Sequence, residues 1–142
     1  MVDLTSLENC LASVQRAYAG LLGKPAESFE YEIYRSACVK EFELLLEVTV
    51  KVVKRVLREY VTSTGALAEM TFKEVLRTAA HSNLLTLAEV DKWFLYRDIR
   101  NGSAHEYGAD LATRVITVLP AFIQSSESLL TTLRRRQANK PC

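Results

Sequence analysis

Apolar residues recur at helical spacing along most of the chain. Leu7, Leu11, Val14, Tyr18 and Leu21 or Leu22 form one stripe, the pattern of a helix with a single buried face. It predicts a first helix beginning near Asp3 to Thr5, where Thr5 and Glu8 have capping-box spacing, and running to about Leu22, with Gly23 and Pro25 ending it. Ser28 is the next start signal. No glycine or proline follows until Gly65, so one helix of roughly 33 residues, about 50 Å long, is allowed. Tyr34, Cys38, Leu45, Val48, Val52 and Val56 follow one of its faces, and Phe42, Leu46, Val50, Val53, Leu57 and Val61 a neighbouring one. That breadth predicts burial on two sides. The β-branched run Val48 to Val56 has strand propensity, but Lys51, Lys54 and Arg55 break any alternation, and the helical period continues on both sides.

The second half is more heavily punctuated. Thr62 to Met70 reads as a small, polar, glycine-containing linker. Thr71 with Glu74 opens a short helix through Leu76, Ala79 and Ala80 that ends around His81 to Asn83. Thr86 with Glu89 opens another, carrying Leu87, Val90, Trp93, Phe94 and Arg97 and ending near Arg100 to Gly102, where Gly102 is expected in the left-handed closing conformation. A final helix spans about Asp110 to Arg136, with Leu111, Val115, Val118, Leu119, Phe122, Ile123, Leu129, Leu130 and Leu133 inward and a kink expected at Pro120. The sum is an all-α, up-and-down bundle of about five helices filling residues 1–142 as one domain, with a basic tail at about 134–142.

Composition supports this reading. A chain of 142 residues with 49% hydrophobic and 25% charged residues has the size and balance of one globular domain. Its 5 glycines and 3 prolines are too few for a many-stranded sheet with repeated tight turns. Lysine plus arginine (18) nearly equals aspartate plus glutamate (17), so any site for an anion must be local. Cys10, Cys38 and Cys142 have no CxxC spacing, which points away from a disulfide framework or zinc site; Cys10 and Cys38, among apolar helical positions, read as small core residues, and Cys142 as a terminal thiol. The N-terminus lacks the pattern of a secretory signal and no stretch approaches the ~18 uncharged apolar residues of a spanning helix, so a cytoplasmic protein without a membrane segment is expected. Without HExxH, a Walker A loop or GxGxxG, neither a metal nor a cofactor is expected.

The polar residues concentrate in one segment. Residues 97 to 107 contain Arg97, Asp98, Arg100, Asn101, Ser103, His105, Glu106 and Tyr107 around Gly102. If one helix ends near Asn101 and Ser103 caps a new turn with Glu106, His105 lies in that first turn beside unsatisfied backbone N–H groups, a corner able to receive an anion. A positive helix terminus and nearby Arg100 both disfavour charge on His105, leaving the neutral imidazole that a general base needs. Arg100 can hold a phosphate through two N–H donors and stabilise charge developing on it. A base and a charge stabiliser are the parts needed for attack of an RNA 2′-hydroxyl on its own phosphate.

The string Arg100-x4-His105-x-Tyr107, with Asn101 after the arginine, resembles the RX4HXY motif of the HEPN superfamily, and within it the nucleotidyltransferase substrate-binding family that includes the HepT-like toxins. The helix order resembles that family over roughly residues 3 to 135. The resemblance implies a HEPN-like, dimeric fold whose paired motifs line one cleft, alone or in a larger hetero-oligomer. It implies catalytic roles for Arg100 and His105, a supporting role for Asn101, and Tyr107 as the residue to which a cognate minimal nucleotidyltransferase transfers AMP. Two functions follow: a metal-independent endoribonuclease toxin acting on RNA and neutralised at Tyr107, or a non-catalytic substrate-binding subunit of the nucleotidyltransferase.

Other polar and aromatic residues have plainer readings. Trp93 and Phe94 could stack on bases, but their spacing suits core or dimer-interface positions better. His81 fits a last-turn residue facing a helix C-terminus. Arg134, Arg135, Arg136 and Lys140 could touch phosphates, but a solvated helix end accounts for them equally simply.

Overall fold

The computed structural model describes residues 2–59, 64–102 and 108–139. Six helices follow in order: α1 (Thr5–Leu22), α2 (Phe29–Leu57), α3 (Thr64–Ala68), α4 (Phe72–His81), α5 (Leu87–Gly102) and α6 (Gly108–Ala138). Among the described residues there is no strand. The all-α expectation holds, with one helix more than the sequence suggested. The extra element, α3, lies inside the expected linker, where burial of Leu67 anchors a single turn despite the poor helix propensity of Thr64 and Gly65.

Helix ends follow local chemistry. The Ser28 hydroxyl accepts from Tyr31 N at 3.1 Å and starts α2. Thr71 and Glu74 form the reciprocal capping box at α4, and Thr86 and Glu89 do the same ahead of α5, at 2.8 and 3.1 Å. The expected Thr5–Glu8 box is not the device used at α1. Thr5 is already helical, and Asp3 Oδ1, two residues earlier, accepts from Thr5 N at 2.9 Å. Those Thr5 hydrogen bonds hold the exposed Asp3 carboxyl below its ordinary range.

The turn after α4 is a Schellman closure, with Leu84 N bonded to Ala79 O at 2.8 Å and Asn83 N to Ala80 O at 3.0 Å. Asn83 takes the left-handed position at φ 63°, which asparagine tolerates better than most residues. Gly102 does not close α5 in that way: it remains helical, and no described glycine has positive φ. α6 begins before Asp110 and contains Pro120 without ending there. It also reaches Ala138, so residues 134–138 of the expected tail are helix.

Pairs along the helices give their directions. Val2 N donates to Gln137 Oε1, Glu8 meets Arg134, and Gln15 Nε2 donates to Glu127 Oε1, so α1 and α6 run antiparallel. Arg136 reaches Ser82 and Asn83, just before α5, which sets α6 antiparallel to α5 as well. α1, α2, α5 and α6 thus form an up-and-down bundle, with α4 packed against α2 and α5.

The long helix is buried on two sides, through Cys38, Phe42, Leu45, Leu46, Thr49, Val52, Val53, Val56 and Leu57. Val61, expected to extend one face, lies outside the described residues. Both described thiols behave as core groups: burial raises Cys10 above its ordinary value and pushes Cys38 from 9.0 up to about 11. Cys142 is outside the described residues.

An aromatic cluster joins three helices. The Phe122 ring of α6 lies 4.7 Å from Phe42 of α2, and 5.8 and 5.1 Å from Trp93 and Tyr96 of α5. Tyr96 and Trp93 meet edge to face at 5.3 Å, a favoured aromatic geometry. The Tyr96 hydroxyl shares a 2.7 Å hydrogen bond with Ser125 Oγ, so its polar end is satisfied inside the core. Burial is the larger influence on this phenol and raises its pKa, the Ser125 hydrogen bond opposing it.

Phe122→Ala is expected to lower unfolding free energy by about 3–5 kcal/mol, and Tyr96→Phe, which leaves the Ser125 hydroxyl unsatisfied, by about 1–2 kcal/mol, both measured by urea unfolding. The Cys38 thiol titrates near 9.0 when unfolded and near 11 when folded, so its contribution is complete below pH 9.0 and is lost as pH rises through about 11. Native protein should therefore resist alkylation at Cys38 in mild alkali and become reactive on unfolding, a difference read by intact mass.

Candidate functional site

The rotation of α5 about its axis decides where Arg100 goes. Trp93, Tyr96 and Ile99 are buried, at 1%, 1% and 5% exposure. Arg100 follows Trp93 by seven residues, two helical turns, and so leaves the helix on nearly the same inward face. Its half-buried side chain lies where that face passes out of the hydrophobic core. There the bundle opens into a groove of about 300 Å³ between α2, the start of α4 and the end of α5. Leu46, Val50 and Phe72 supply its apolar lining, and Glu47, Lys51, Lys54, Arg97 and Arg100 its charges.

The groove carries four cations and one carboxylate. The Arg97 guanidinium stands 4.7 Å from the centre of the Phe72 ring, a contact that orders the side chain while leaving its charge intact. Lys51 Nζ lies 3.2 Å from Glu47 Oε1, with 63% and 55% of the two side chains exposed. A pair so exposed holds its partners weakly, so Lys51 stays available to another anion.

The expected site is only partly within the described structure. Arg100 and Asn101 belong to the last turn of α5, Arg100 half-buried and Asn101 exposed. His105, Tyr107, Ser103 and Glu106 lie outside the described residues, as does the cap expected between Ser103 and Glu106. In the chain these residues lie between the end of α5 and the start of α6 at Gly108.

Trp93 and Phe94 take core and core-edge places, as their spacing suggested, whereas Leu87 leaves the inward stripe assigned to it. Trp93 is sealed in the aromatic cluster, which removes it from base stacking and from any dimer surface. Phe94 is half-buried, with Lys73 Nζ 5.7 Å and the Arg77 guanidinium 5.8 Å from its ring centre. Leu87, assigned to the inward stripe, is 77% exposed because it begins α5 and points well away from the Trp93 face. His81 does sit in the last turn of α4.

The arginine run is only partly free surface. Arg134 Nη2 is 3.3 Å from Glu8 Oε2. Arg136 Nη2 donates to the carbonyls of Ser82 and Asn83 at 3.0 and 3.1 Å, tying the end of α6 to the α4–α5 turn. A cavity of about 610 Å³ beside that turn includes Arg77, His81, Leu87 and Arg135, and none of the motif residues.

Lys51, Lys54 and Arg97 are groove residues, although in the sequence the two lysines read only as breaks in strand alternation and Arg97 as one member of the polar segment 97 to 107. A signal was present: Glu47, Val50, Lys51 and Lys54 have the i, i+3, i+4, i+7 spacing of one helical face. Among the described residues, no group of three or more metal-ligating side chains occurs and no helix is long and apolar enough to cross a membrane.

Arg136→Gln should reduce stability by about 1–3 kcal/mol, since it removes charge-assisted hydrogen bonds to two turn carbonyls. Arg135→Gln should change it by no more than about 0.5 kcal/mol. Thermal unfolding of the two variants distinguishes a structural arginine from a surface one.

Residues 2–135 match the family model described as nucleotidyltransferase substrate binding protein like. A Haemophilus influenzae protein named "Probable ribonuclease HepT" is 32% identical over 101 residues, which are 71% of this chain and 68% of the relative. A Haemophilus influenzae protein whose structure is described as the fold of a substrate binding domain of a nucleotidyltransferase superposes with a TM-score of 0.80 at 25% identity, over 93% of this chain and 99% of that one. A tri-AMPylated Shewanella oneidensis HEPN toxin in complex with MNT antitoxin shares the fold, with a TM-score of 0.62 at 14% identity over 95% and 99% of the two chains.

Proposed function

Because the chain belongs to the nucleotidyltransferase substrate binding protein-like family of HepT-like HEPN proteins, we propose that it is the toxin of a toxin–antitoxin pair, a metal-independent endoribonuclease silenced by AMP transfer. The observation that supports this reading is the setting of Arg100, the first residue of the motif: it lines a cationic groove between α2, α4 and α5, and His105 and Tyr107 follow it in the sequence. The "ribonuclease" in the relative's name and the toxin–antitoxin complexes among proteins of the same fold support the same conclusion.

In this mechanism His105 takes the proton of an RNA 2′-hydroxyl. The freed oxygen attacks the adjacent phosphorus, the bond from phosphorus to the 5′-oxygen breaks, and the leaving oxygen is protonated. The products are a 2′,3′-cyclic phosphate and a 5′-hydroxyl. Arg100 donates to the non-bridging oxygens as charge builds on them, and Asn101 helps orient the pair. The chain acts as a single domain in the cytoplasm and as a homodimer, alone or within a larger hetero-oligomer.

Neutralisation uses Tyr107. A cognate minimal nucleotidyltransferase directs the phenol oxygen onto the α-phosphorus of ATP, forming a tyrosyl phosphodiester and releasing pyrophosphate. The added adenylate puts a negative charge and considerable bulk two residues from His105, where the RNA phosphate must bind.

A second reading makes the chain a non-catalytic substrate-binding subunit of that nucleotidyltransferase, and the wording attached to the family and to one Haemophilus structure favours it. RNA cleavage decides between the two. Unmodified protein in excess EDTA should cut RNA to cyclic-phosphate ends, and His105→Ala or Arg100→Ala should lower the rate by at least about 100-fold. Absence of cleavage by the unmodified chain would exclude the toxin reading. Co-expression with the nucleotidyltransferase should add AMP mass to the wild type and none to Tyr107→Phe.

A further inference from the structure

We propose that the groove between α2, α4 and α5 is a cradle for the RNA backbone, in which Lys51, Lys54 and Arg97 position the strand so that one phosphate reaches Arg100. The proposal rests on the ribonuclease reading for its choice of ligand and adds to it residues that lie outside the motif.

Local charge is the first argument. The whole chain has a net charge of only +1, so a polyanion gains little from the overall field. The groove nevertheless gathers Lys51, Lys54, Arg97 and Arg100 against Glu47 alone. It therefore concentrates positive charge on a chain that is otherwise balanced.

Shape is the second. Lys51 and Lys54 project from one face of α2, and the exposed Arg58 continues that face by about one turn. This gives a row of cations along a rigid helix, suited to successive phosphates. Between the charges the lining is apolar, through Leu46, Val50 and Phe72, which suits the riboses and base edges that alternate with phosphates in a single strand. An acidic protein surface would satisfy the cations and leave that recessed lining unused.

Arg97 is the third. Its guanidinium lies over the Phe72 ring, 4.7 Å from the ring centre, a contact that orders the side chain while leaving N–H donors for a ligand. A planar cation held in this way can stack a base and still donate to a phosphate. Lysine at this position would keep the charge and lose the plane.

The test uses the full chain carrying His105→Ala, so that RNA is bound without being cut, and follows a short fluorescein-labelled single-stranded RNA by anisotropy across a series of KCl concentrations. Lys51→Gln with Lys54→Gln should weaken binding about tenfold and flatten the dependence of log K on log salt by about 0.7 for each phosphate that the missing cations had neutralised. Arg97→Lys should weaken binding several-fold with the salt slope unchanged, and Glu47→Gln should tighten it. Circular dichroism melts confirm that each variant is folded.

Unchanged affinity and slope in the double lysine variant overturn the proposal. So does unchanged RNA binding accompanied by loss of co-purification with the nucleotidyltransferase, since the cations would then serve the protein partner. Failure of the ribonuclease reading looks different: the unmodified His105 protein would cut nothing, while RNA binding would still respond to Lys51 and Lys54. Conversely, cleavage with an unaltered KM in the double variant keeps the nuclease and removes the cradle.

Discussion

The packing of Phe122 against Phe42, Trp93 and Tyr96 sets the geometry on which the rest of the molecule depends. These four rings come from three helices, and their edge-to-face contacts leave α5 little freedom to rotate. Once Trp93 and Tyr96 are committed to the core, the helical repeat carries Arg97 and Arg100 to the edge of the same buried face. The core therefore ends in a cationic groove because an inward stripe changes from aromatic to arginine over its last two turns. Rotating α5 by one residue, about 100°, would bury a charge or expose the tryptophan, and both alternatives cost several kcal/mol.

Polar groups near the core are handled in two ways. Two buried hydroxyls are locally satisfied, that of Tyr96 by Ser125 and that of Thr49 by the Leu45 carbonyl at 2.7 Å, whereas Trp93 Nε1 and Ser126 Oγ are buried without a hydrogen-bond partner among the described residues. Charged groups sit at the boundary, over aromatic rings, as Arg97 does on Phe72 and Lys73 and Arg77 do on Phe94. Cation–aromatic contacts spare these side chains a full loss of solvent while restricting their motion. A groove built this way is ordered before a ligand arrives, which reduces the entropy lost on binding.

The basic residues of the bundle have separate tasks. At one end Arg136 and the left-handed Asn83 close the α4–α5 turn, and Arg134 meets Glu8, so basic residues are used to fasten helices together. Between α2, α4 and α5, basic residues instead line an open groove that includes Arg100. Counting arginines in the sequence does not separate these roles. The difference lies in whether a carbonyl or carboxylate of the same chain comes within reach, which only folding determines.

The boundaries of α2, α4 and α5 were legible because Ser28, Thr71 and Thr86 act through hydrogen bonds three residues long, and such short-range chemistry is written in consecutive positions. The all-helical class was legible for a related reason, since apolar periodicity reflects the burial of one face whatever that face meets. The motif string from Arg100 to Tyr107, set at a helix junction in an all-helical chain of this length, pointed to the family. What the sequence left open was every property that depends on distant partners. Leu87 and Trp93 stand on the same predicted helix, yet one is exposed and the other sealed, because α6 brings Phe122 to only one of them. Lys51 and Lys54 acquire meaning as groove residues only when α5 places Arg97 and Arg100 opposite, more than forty positions away in the chain. Local hydrogen bonding and periodicity fixed the helices; the long-range packing of aromatic side chains decided which charges face one another.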